Sequence, residues 1–513
     1  MFAKILSATI TGFDAAPIQV ETDISGGLPG MTLVGLPDTS VNESRERLRA
    51  ALKNSGSPLP AGRITINLAP ADLRKEGSGL DLAIAVSLLV ADGVIAPQKV
   101  DGLVIVGELS LNGEIRHTRG VLPIALMACQ HKLKGIVIPN GNCDEALVVP
   151  GIAVFAFSTL AELVAAFSDG SSAPLPLRGA APEAETDLAT FSHVDLETIK
   201  GQAFARRALE IAAAAGHNLI FSGPPGAGKT LLARALPTIL PPLSFEEALD
   251  VTRIYSIKGL LPPGSGLIRT RPFRDPHHTI SDIAMIGGGR LPTPGEVSLA
   301  HHGVLFLDEL PEFPKSVIEV LREPLTTGHV SISRANQTSV FPAQFMFVAA
   351  MNPCPCGFST DPLKNCTCTA RQQQQYRQKL SGPLLDRIDL HVHVPRLAPE
   401  ELVGKKTGEP SAKVRKRVEK ARKIQIKRNQ KLGFILNSQI PSRKLGEICR
   451  LCPDATAILL AAARKFGLSA RGYDKIIRVA RTIADLDNKR DILPTHVAEA
   501  LQFRTQDIFG QNN

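Results

Sequence analysis

Over most of the chain, apolar residues fall in short runs that end in glycine or charge; from about residue 396 the spacing becomes helical. In the first third, strand-like runs occupy residues 64–68, 103–106 and 135–138, and the apolar stretch 80–90 between them reads as a buried helix. Segment 169–190 (DGSSAPLPLRGAAPEAETDLAT) is rich in Ala, Pro, Ser and Glu and has no apolar period, which predicts a linker. A second α/β region spans 191–395. Its apolar strands at 218–221, 304–307 and 345–349 end in glycine-rich or charged turns, and a parallel sheet carries its ligand at such carboxyl ends. Within 396–513, Tyr473, Ile476, Ile477, Ala480, Ile483 and Ala484 form the apolar stripe of a helix at 469–487. The pattern predicts an α/β chain of three units: 1–168, 191–395, and a helical unit at 396–513.

Composition narrows the class. The chain has 513 residues, 44% hydrophobic and 21% charged, the profile of an ordinary globular protein. With no tryptophan and three tyrosines, an extensive base-stacking surface is not expected. The formal charge of +9 leaves room for a polyanionic partner. Residues 1–10 lack the ordered regions of a secretory signal, and the most apolar stretch, 82–96, is interrupted by Asp92 and too short to span a bilayer. Eight clustered cysteines are too sparse for a disulfide framework. The expectation is a cytoplasmic protein without a membrane partner.

One motif carries specific chemistry. Gly223, Pro224, Pro225, Gly226, Ala227, Gly228, Lys229 and Thr230 fit G-x-x-x-x-G-K-[ST], between an apolar strand and a helix. Such a loop turns backbone N–H groups toward the phosphates of ATP, Lys229 neutralises them, and the Thr230 hydroxyl can ligate Mg²⁺. The run 304–309 (VLFLDE) is a buried strand ending in Asp308, which would hold the Mg²⁺ shell, and Glu309, which would polarise the attacking water. Asn352, after another apolar strand, can orient water near the γ-phosphate.

With these motifs in place, the chain resembles the magnesium-chelatase-like AAA+ family, and within it the YifB/ComM group associated with natural transformation. The matching stretches are 223–230, 273–289 (FRDPHHTISDIAMIGGG), 304–310, 351–357 (MNPCPCG), 381–389 (SGPLLDRID) and 468–486. The resemblance implies a P-loop AAA+ domain followed by a C-terminal α-helical lid. It implies that Arg387 is an arginine finger reaching a neighbour's ATP, that Arg471 is the sensor arginine of the lid, and that Ile199 and Gln202 lie against the adenine. Residues 240–294 resemble the family's helix-2 insert and 324–341 its pre-sensor hairpin, with Arg334 near the tip. There it would meet a phosphate backbone or stand as a solvated turn residue.

The same resemblance covers residues 1–168, which look like a Lon-protease-like domain with a ribosomal-protein-S5-like fold. Aligned on Lys75 and Gly77, the nucleophile position falls on Gly79 rather than Ser78, and the basic position on Thr118. A serine nucleophile needs an adjacent base, so this unit is expected to bind or assemble without peptidase activity.

Two further clusters stand out. Residues 413–431 (KVRKRVEKARKIQIKRNQK) hold ten Lys/Arg and one acid, with Val414, Val418 and Ala421 as a thin apolar stripe. Such a helix can bind nucleic acid through Lys416, Arg417, Arg422 and Lys423, or present a solvated face. Cys354, Cys356, Cys366 and Cys368 give C-x-C-x₉-C-x-C, which can form a Cys₄ zinc site or remain four reduced loop thiols. Cys449 and Cys452 are expected to pack. The reading that results is an ATP- and Mg²⁺-dependent motor on single-stranded or branched DNA, assembled as a homohexamer and coupled to helicase or branch-migration work. A protein-remodelling AAA+ ATPase and a metal-chelatase motor subunit are the alternatives.

Overall fold

A computed structural model describes residues 1–36, 39–73, 75, 77–168, 174–177, 194–289, 292–334, 337–397 and 408–505. The first unit is built on a seven-stranded sheet. Strands Phe2–Thr11 and Asp14–Ser25 form a long antiparallel hairpin. Arg63–Ala69 pairs antiparallel with the second of them, and Gly30–Val34 closes that edge in parallel. On the other side Leu103–Ile105, Gly135–Pro139 and Ala153–Phe157 follow in parallel order. The apolar stretch read as a buried helix is the helix Asp81–Ala91, every residue of which is buried. Its two polar members are satisfied: Asp81 pairs with Arg47 at 2.8 Å and Ser87 bonds Thr22 at 2.6 Å. Burial pushes the Asp81 carboxyl up to about 6, against the pull of Arg47. Most of the expected linker lies outside the described residues, but Leu177 bonds back to Val154 through both backbone groups and covers the sheet's edge strand.

The second unit holds a five-stranded, all-parallel sheet in the order Phe273–Arg274, Val304–Leu307, Met346–Met351, Leu219–Ser222, Leu390–His393. Its central strands Val304–Leu307 and Met346–Met351 are unbroken apolar runs because both faces are covered. Val304 and Phe306 join one core and Leu305 and Leu307 the other. Helices Ala203–Ala215 and Lys229–Ile239 belong to the first core, together with the C-terminal helices Ser411–Asn429, Pro453–Phe466, Ala470–Leu486 and Pro494–Thr505. In Ala470–Leu486 the buried positions include Ile476, Ile477, Ala480, Ile483 and Ala484, with Tyr473 partly buried against them.

Residues 240–294 contain a substantial helix, Phe245–Lys258, that turns toward the first unit. Ala248 and Leu267 share a core with Val121, Leu122 and Ile124. Buried Glu145 accepts from the Leu122 N–H at 2.9 Å, the Asn142 amide at 2.8 Å and the Ser256 hydroxyl. The Arg253 guanidinium lies 4.0 Å over the Phe13 ring and pairs with Asp14.

The lid closes on a buried polar knot. Asp485 accepts two bonds from Arg428 and one from Asn437, all at 2.8 Å, and pairs with buried Arg481 at 3.0 Å. Removing the acid leaves two guanidinium groups uncompensated, which costs about 3–5 kcal/mol. Asp485→Ala is therefore expected to lower the urea midpoint of the lid sharply, while Lys423→Ala, at an exposed position, should change stability by less than about 0.5 kcal/mol. Equal midpoints for the two variants would refute the assignment.

Candidate nucleotide site

The phosphate loop leaves the carboxyl end of Leu219–Ser222, between the strands that lead to Asn352 and to His393. Tight packing dictates Gly223. A Cβ at Gly223 would stand 2.1 Å from the Val394 carbonyl oxygen. Gly228 has φ 90°, open to glycine at no steric cost, and caps the start of helix Lys229–Ile239. The first N–H groups of an α-helix have no acceptor within it, so such a helix start suits an anion.

Lys229 is buried, and its ammonium donates to the carbonyls of Gly223 at 2.7 Å and Pro224 at 2.9 Å and to Asn352 Oδ1 at 3.1 Å. These are neutral acceptors. Burial depresses the Lys229 pKa to about 8, against the weaker opposing pull of Asp308 and Glu309. The Thr230 hydroxyl donates to Asp308 Oδ2 at 2.6 Å, which juxtaposes the two oxygens suited to a hard divalent cation. Glu309 takes φ 53° at the strand exit, a left-handed conformation uncommon outside glycine, and its side chain is 57% exposed. Gln202, also left-handed at φ 49°, donates to Pro395 O at 2.7 Å and Ala227 O at 3.4 Å, and Ile199 is buried beside it. The fold thus brings Ile199, Gln202, Lys229, Thr230, Asp308, Glu309 and Asn352 to one edge of the sheet.

Arg387 is held elsewhere. It donates to Arg322 O at 3.1 Å, Thr326 Oγ1 at 2.8 Å and Pro383 O at 2.6 Å, in an open cleft of about 500 Å³. Its pKa is lowered by burial and then by the nearby positive charges of Arg322 and Arg471. Arg471, exposed in the first turn of Ala470–Leu486, therefore shares a side with Arg387. Asp389 fixes that arrangement: Lys475 of the lid reaches it at 2.7 Å and His217 at 3.5 Å. Burial alone would raise the Asp389 pKa, but the Lys475 ammonium and the hydrogen bond from His217 hold it far below the usual carboxylate range.

The basic helix departs from expectation. Val414, Val418 and Ala421 are buried. Arg417, however, pairs with Glu210 at 2.5 Å and Glu409 at 2.7 Å, and holds the Glu409 carboxyl down at about 2. Arg422 gives two bonds to the Ala213 carbonyl, and burial lowers its pKa to about 9. Both guanidinium groups serve acceptors on and around helix Ala203–Ala215, while Lys416 and Lys423 are exposed. Arg334 ends strand His329–Arg334 opposite Gln337, and its side chain lies outside the described residues.

The four loop cysteines converge. Cys354 Sγ lies 3.4 Å from Cys356 Sγ and 3.7 Å from Cys366 Sγ, and Cys356 and Cys366 are 3.6 Å apart. All four sulfurs fall within 4.8 Å of one another. A tetrahedral thiolate shell with Zn–S of about 2.3 Å has S–S edges of roughly 3.8 Å, so the cluster fits. Burial opposes ionisation of Cys356, but N–H groups of Phe358 and Thr367 outweigh it and bring the thiol down to about 6. Cys449 is buried in the lid core with Cys452 against it.

In the first unit, a Cβ at Gly79 would stand 3.3 Å from Thr118 Oγ1, so the two positions singled out in the sequence do face each other. Ser78 instead bonds Glu108, and Lys75 bonds the Pro70 carbonyl. The sequence reading missed Asn218, which joins the Arg387 carbonyl at 3.0 Å to the Phe347 N–H at 2.9 Å. It also missed Asp275, paired with Arg234 of the P-loop helix at 3.4 Å. Both stand at strand ends beside a known motif, the one signal available for them.

Comparisons with known proteins agree with this geometry. The family "Magnesium chelatase, subunit ChlI" matches residues 195–402, "Subunit ChlI of Mg-chelatase" matches 20–142, and "Magnesium chelatase, subunit ChlI C-terminal" matches 408–504. The chain is 43% identical to YifB of Escherichia coli over 97% of its length and 96% of that protein. It is 42% identical to the competence protein ComM of Haemophilus influenzae, over 98% and 97%. The magnesium-chelatase 67 kDa subunit of Chlorobaculum parvum is 29% identical over 130 residues, 25% of this chain and 18% of that one. With a P-loop, a strand-end acid pair and full-length likeness of this extent, the chain belongs to the YifB/ComM group of the magnesium-chelatase-like AAA+ family.

Proposed function

We propose that this protein is an ATP-driven ring motor that translocates on DNA and serves as a helicase or branch-migration factor when incoming DNA is integrated in natural transformation. The observation that carries the motor is Lys229, a buried cation held by neutral oxygens beside the Thr230–Asp308 pair. The DNA role is supported by full-length likeness to a competence protein and by exposed Lys416 and Lys423. Mg²⁺ would neutralise the phosphate charge, with Thr230 and Asp308 as its protein-side oxygens. Lys229 exchanges its carbonyl contacts for phosphate oxygens, Asn352 orients water, and Glu309 accepts its proton. Arg387 and Arg471, turned to a common side by Lys475–Asp389, supply charge to a neighbour's nucleotide, which is why the working unit is a ring. The first unit is a Lon-protease-like binding or assembly module.

The cysteine cluster is proposed to hold one structural zinc through Cys354, Cys356, Cys366 and Cys368. It braces the loop after Asn352, which packs on the phosphate loop: a Cβ at Gly357 would stand 2.6 Å from Pro225.

The decisive assay measures ATP turnover with single-stranded, duplex and branched DNA, together with strand displacement. DNA is expected to stimulate turnover, and its affinity to fall steeply with salt. Healthy turnover that responds to unfolded protein and to no DNA would replace this reading with a protein remodeller. Lys416→Glu with Lys423→Glu should weaken DNA binding in a folded protein, whereas reversing Arg417 or Arg422 should destabilise the helix itself. Arg387→Ala should be inactive alone and recover part of its turnover when co-assembled with Lys229→Ala; no recovery would count against action across subunits.

ATP affinity should depend on pH through Lys229. Free Lys229 has a pKa near 8, and bound phosphate raises it. Below that value the ammonium is charged in both states and affinity is flat. Above it the free protein has lost its proton, so affinity falls by up to about tenfold per pH unit and binding takes up a proton. Calorimetry at pH 8.5 in buffers of different ionisation enthalpy checks this, and no proton uptake would overturn it. Metal analysis of protein purified without added metal should give about one zinc per chain, lowered by Cys354→Ser with Cys356→Ser; zinc-free, fully folded wild type would overturn the site.

A further inference from the structure

We infer that a stripe of lysines along helix Ser411–Asn429 holds the phosphate backbone of a double-stranded arm of the DNA. This rests on the DNA-motor reading above. Lys413, Lys416, Lys420, Lys423 and Lys427 follow one another at intervals of three and four residues, and all are exposed. At 3.6 residues per turn they fall within about 80° of the helix circumference, and the last four span about 16 Å of its length. The opposite face holds Val414, Val418, Ala421, Gln425 and Asn429, all buried, which fixes the stripe outward.

The cations of this helix are sorted by type. Arg417 is engaged by Glu210 and Glu409, Arg422 by the Ala213 carbonyl and Arg428 by Asp485. Lys413 pairs with Glu409 at 3.2 Å. The ammonium groups of Lys416, Lys420, Lys423 and Lys427 have no hydrogen bond or ion pair with any described residue. Glu419 is the one acid of the helix, half-buried at the margin of the stripe, and it pairs with none of them. Like charges three and four residues apart repel along a helix and destabilise it. An ordinary solvated face avoids this by interspersing both signs. A partner with a matching row of negative charge removes the repulsion instead.

A duplex is that partner. Each strand presents a phosphate every 3.4 Å of axis, so four ammonium groups over about 16 Å meet one strand along about five base pairs. On this scale the duplex is straight and stiff, as the packed helix is, and neither has to be ordered on contact. A single strand must first be straightened, at an entropic cost that base stacking on aromatic side chains ordinarily offsets. The helix has no aromatic residue. Of the three tyrosines in the chain, Tyr255 and Tyr376 are buried and Tyr473 packs against the lid core. Lysines suit a backbone contact, being point charges on flexible stems that demand no fixed geometry.

Fluorescence anisotropy over a salt series tests the assignment, with a short labelled duplex and with a single strand of the same length. The variants are Lys420→Gln with Lys427→Gln, and the same pair combined with Lys416→Gln and Lys423→Gln. Each lost phosphate contact should lower the slope of log affinity against log salt by about 0.9, so the double variant should lose about 1.8 and the fourfold variant about 3.6. At moderate salt the fourfold variant should bind duplex at least about tenfold more weakly, with single-strand affinity within about twofold of wild type. Lys420→Arg with Lys427→Arg keeps the charge and should match wild type, and duplexes of different sequence should behave alike. Should the fourfold variant melt early, the double variant carries the test. An unchanged duplex slope, or an equal loss on the single strand, would overturn the inference. A wild type that binds neither form would sink the DNA reading and this inference with it; a wild type that binds duplex no better than its lysine variants would sink this inference alone.

Discussion

A buried ammonium group without a carboxylate in contact is the constraint around which the central domain is arranged. Lys229 is desolvated, and its three neighbours are two carbonyls and an amide oxygen. Desolvation at that depth depresses its pKa, and a polyanion relieves the penalty more fully than any neutral acceptor. The glycines of the loop, the Asn352 amide and the free N–H groups at the helix start all serve the same arrangement. Asp308 is near enough to raise the lysine's pKa yet bonds Thr230 instead. Cation and acid are thereby kept apart.

Holding that geometry requires a rigid sheet, and the two-sided burial of the five parallel strands provides it. Alternate residues of Val304–Leu307 enter opposite cores. Its carboxyl end can then carry acids without loosening the strand. The lid is tied to the opposite flank by Lys475 on Asp389, where the ammonium and the hydrogen bond from His217 overcome burial. Asn218 fastens the same corner to the central strands. Arg387 and Arg471 consequently share one side of the domain, although 84 residues separate them in sequence.

The first unit is joined to the second by real packing rather than by a tether alone. Buried Glu145 binds Ser256, and Arg253 stacks on Phe13, so helix Phe245–Lys258 belongs to both units. Ile10 and Phe13 of the first unit also pack against the core that contains the hairpin residues Val330 and Ile332.

Local pattern was sufficient for much of this protein. The phosphate loop, the acid pair after an apolar run, the wholly apolar helix Asp81–Ala91 and the stripe of the last long helix are each written in residues close along the chain. Their physics, hydrogen bonding to the next turn or burial of one face, is local too. The basic helix shows where such reading stops. Its charges looked alike in sequence, yet Arg417 is paired with Glu210, 207 positions away, and Arg422 donates its hydrogen bonds to the Ala213 carbonyl. The meeting of Gly79 with Thr118 and the convergence of the four sulfurs have the same character. Composition and spacing specify which charges and ligands a chain carries; which of them are spent internally is decided only when distant elements pack, because desolvation and pairing depend on neighbours in space.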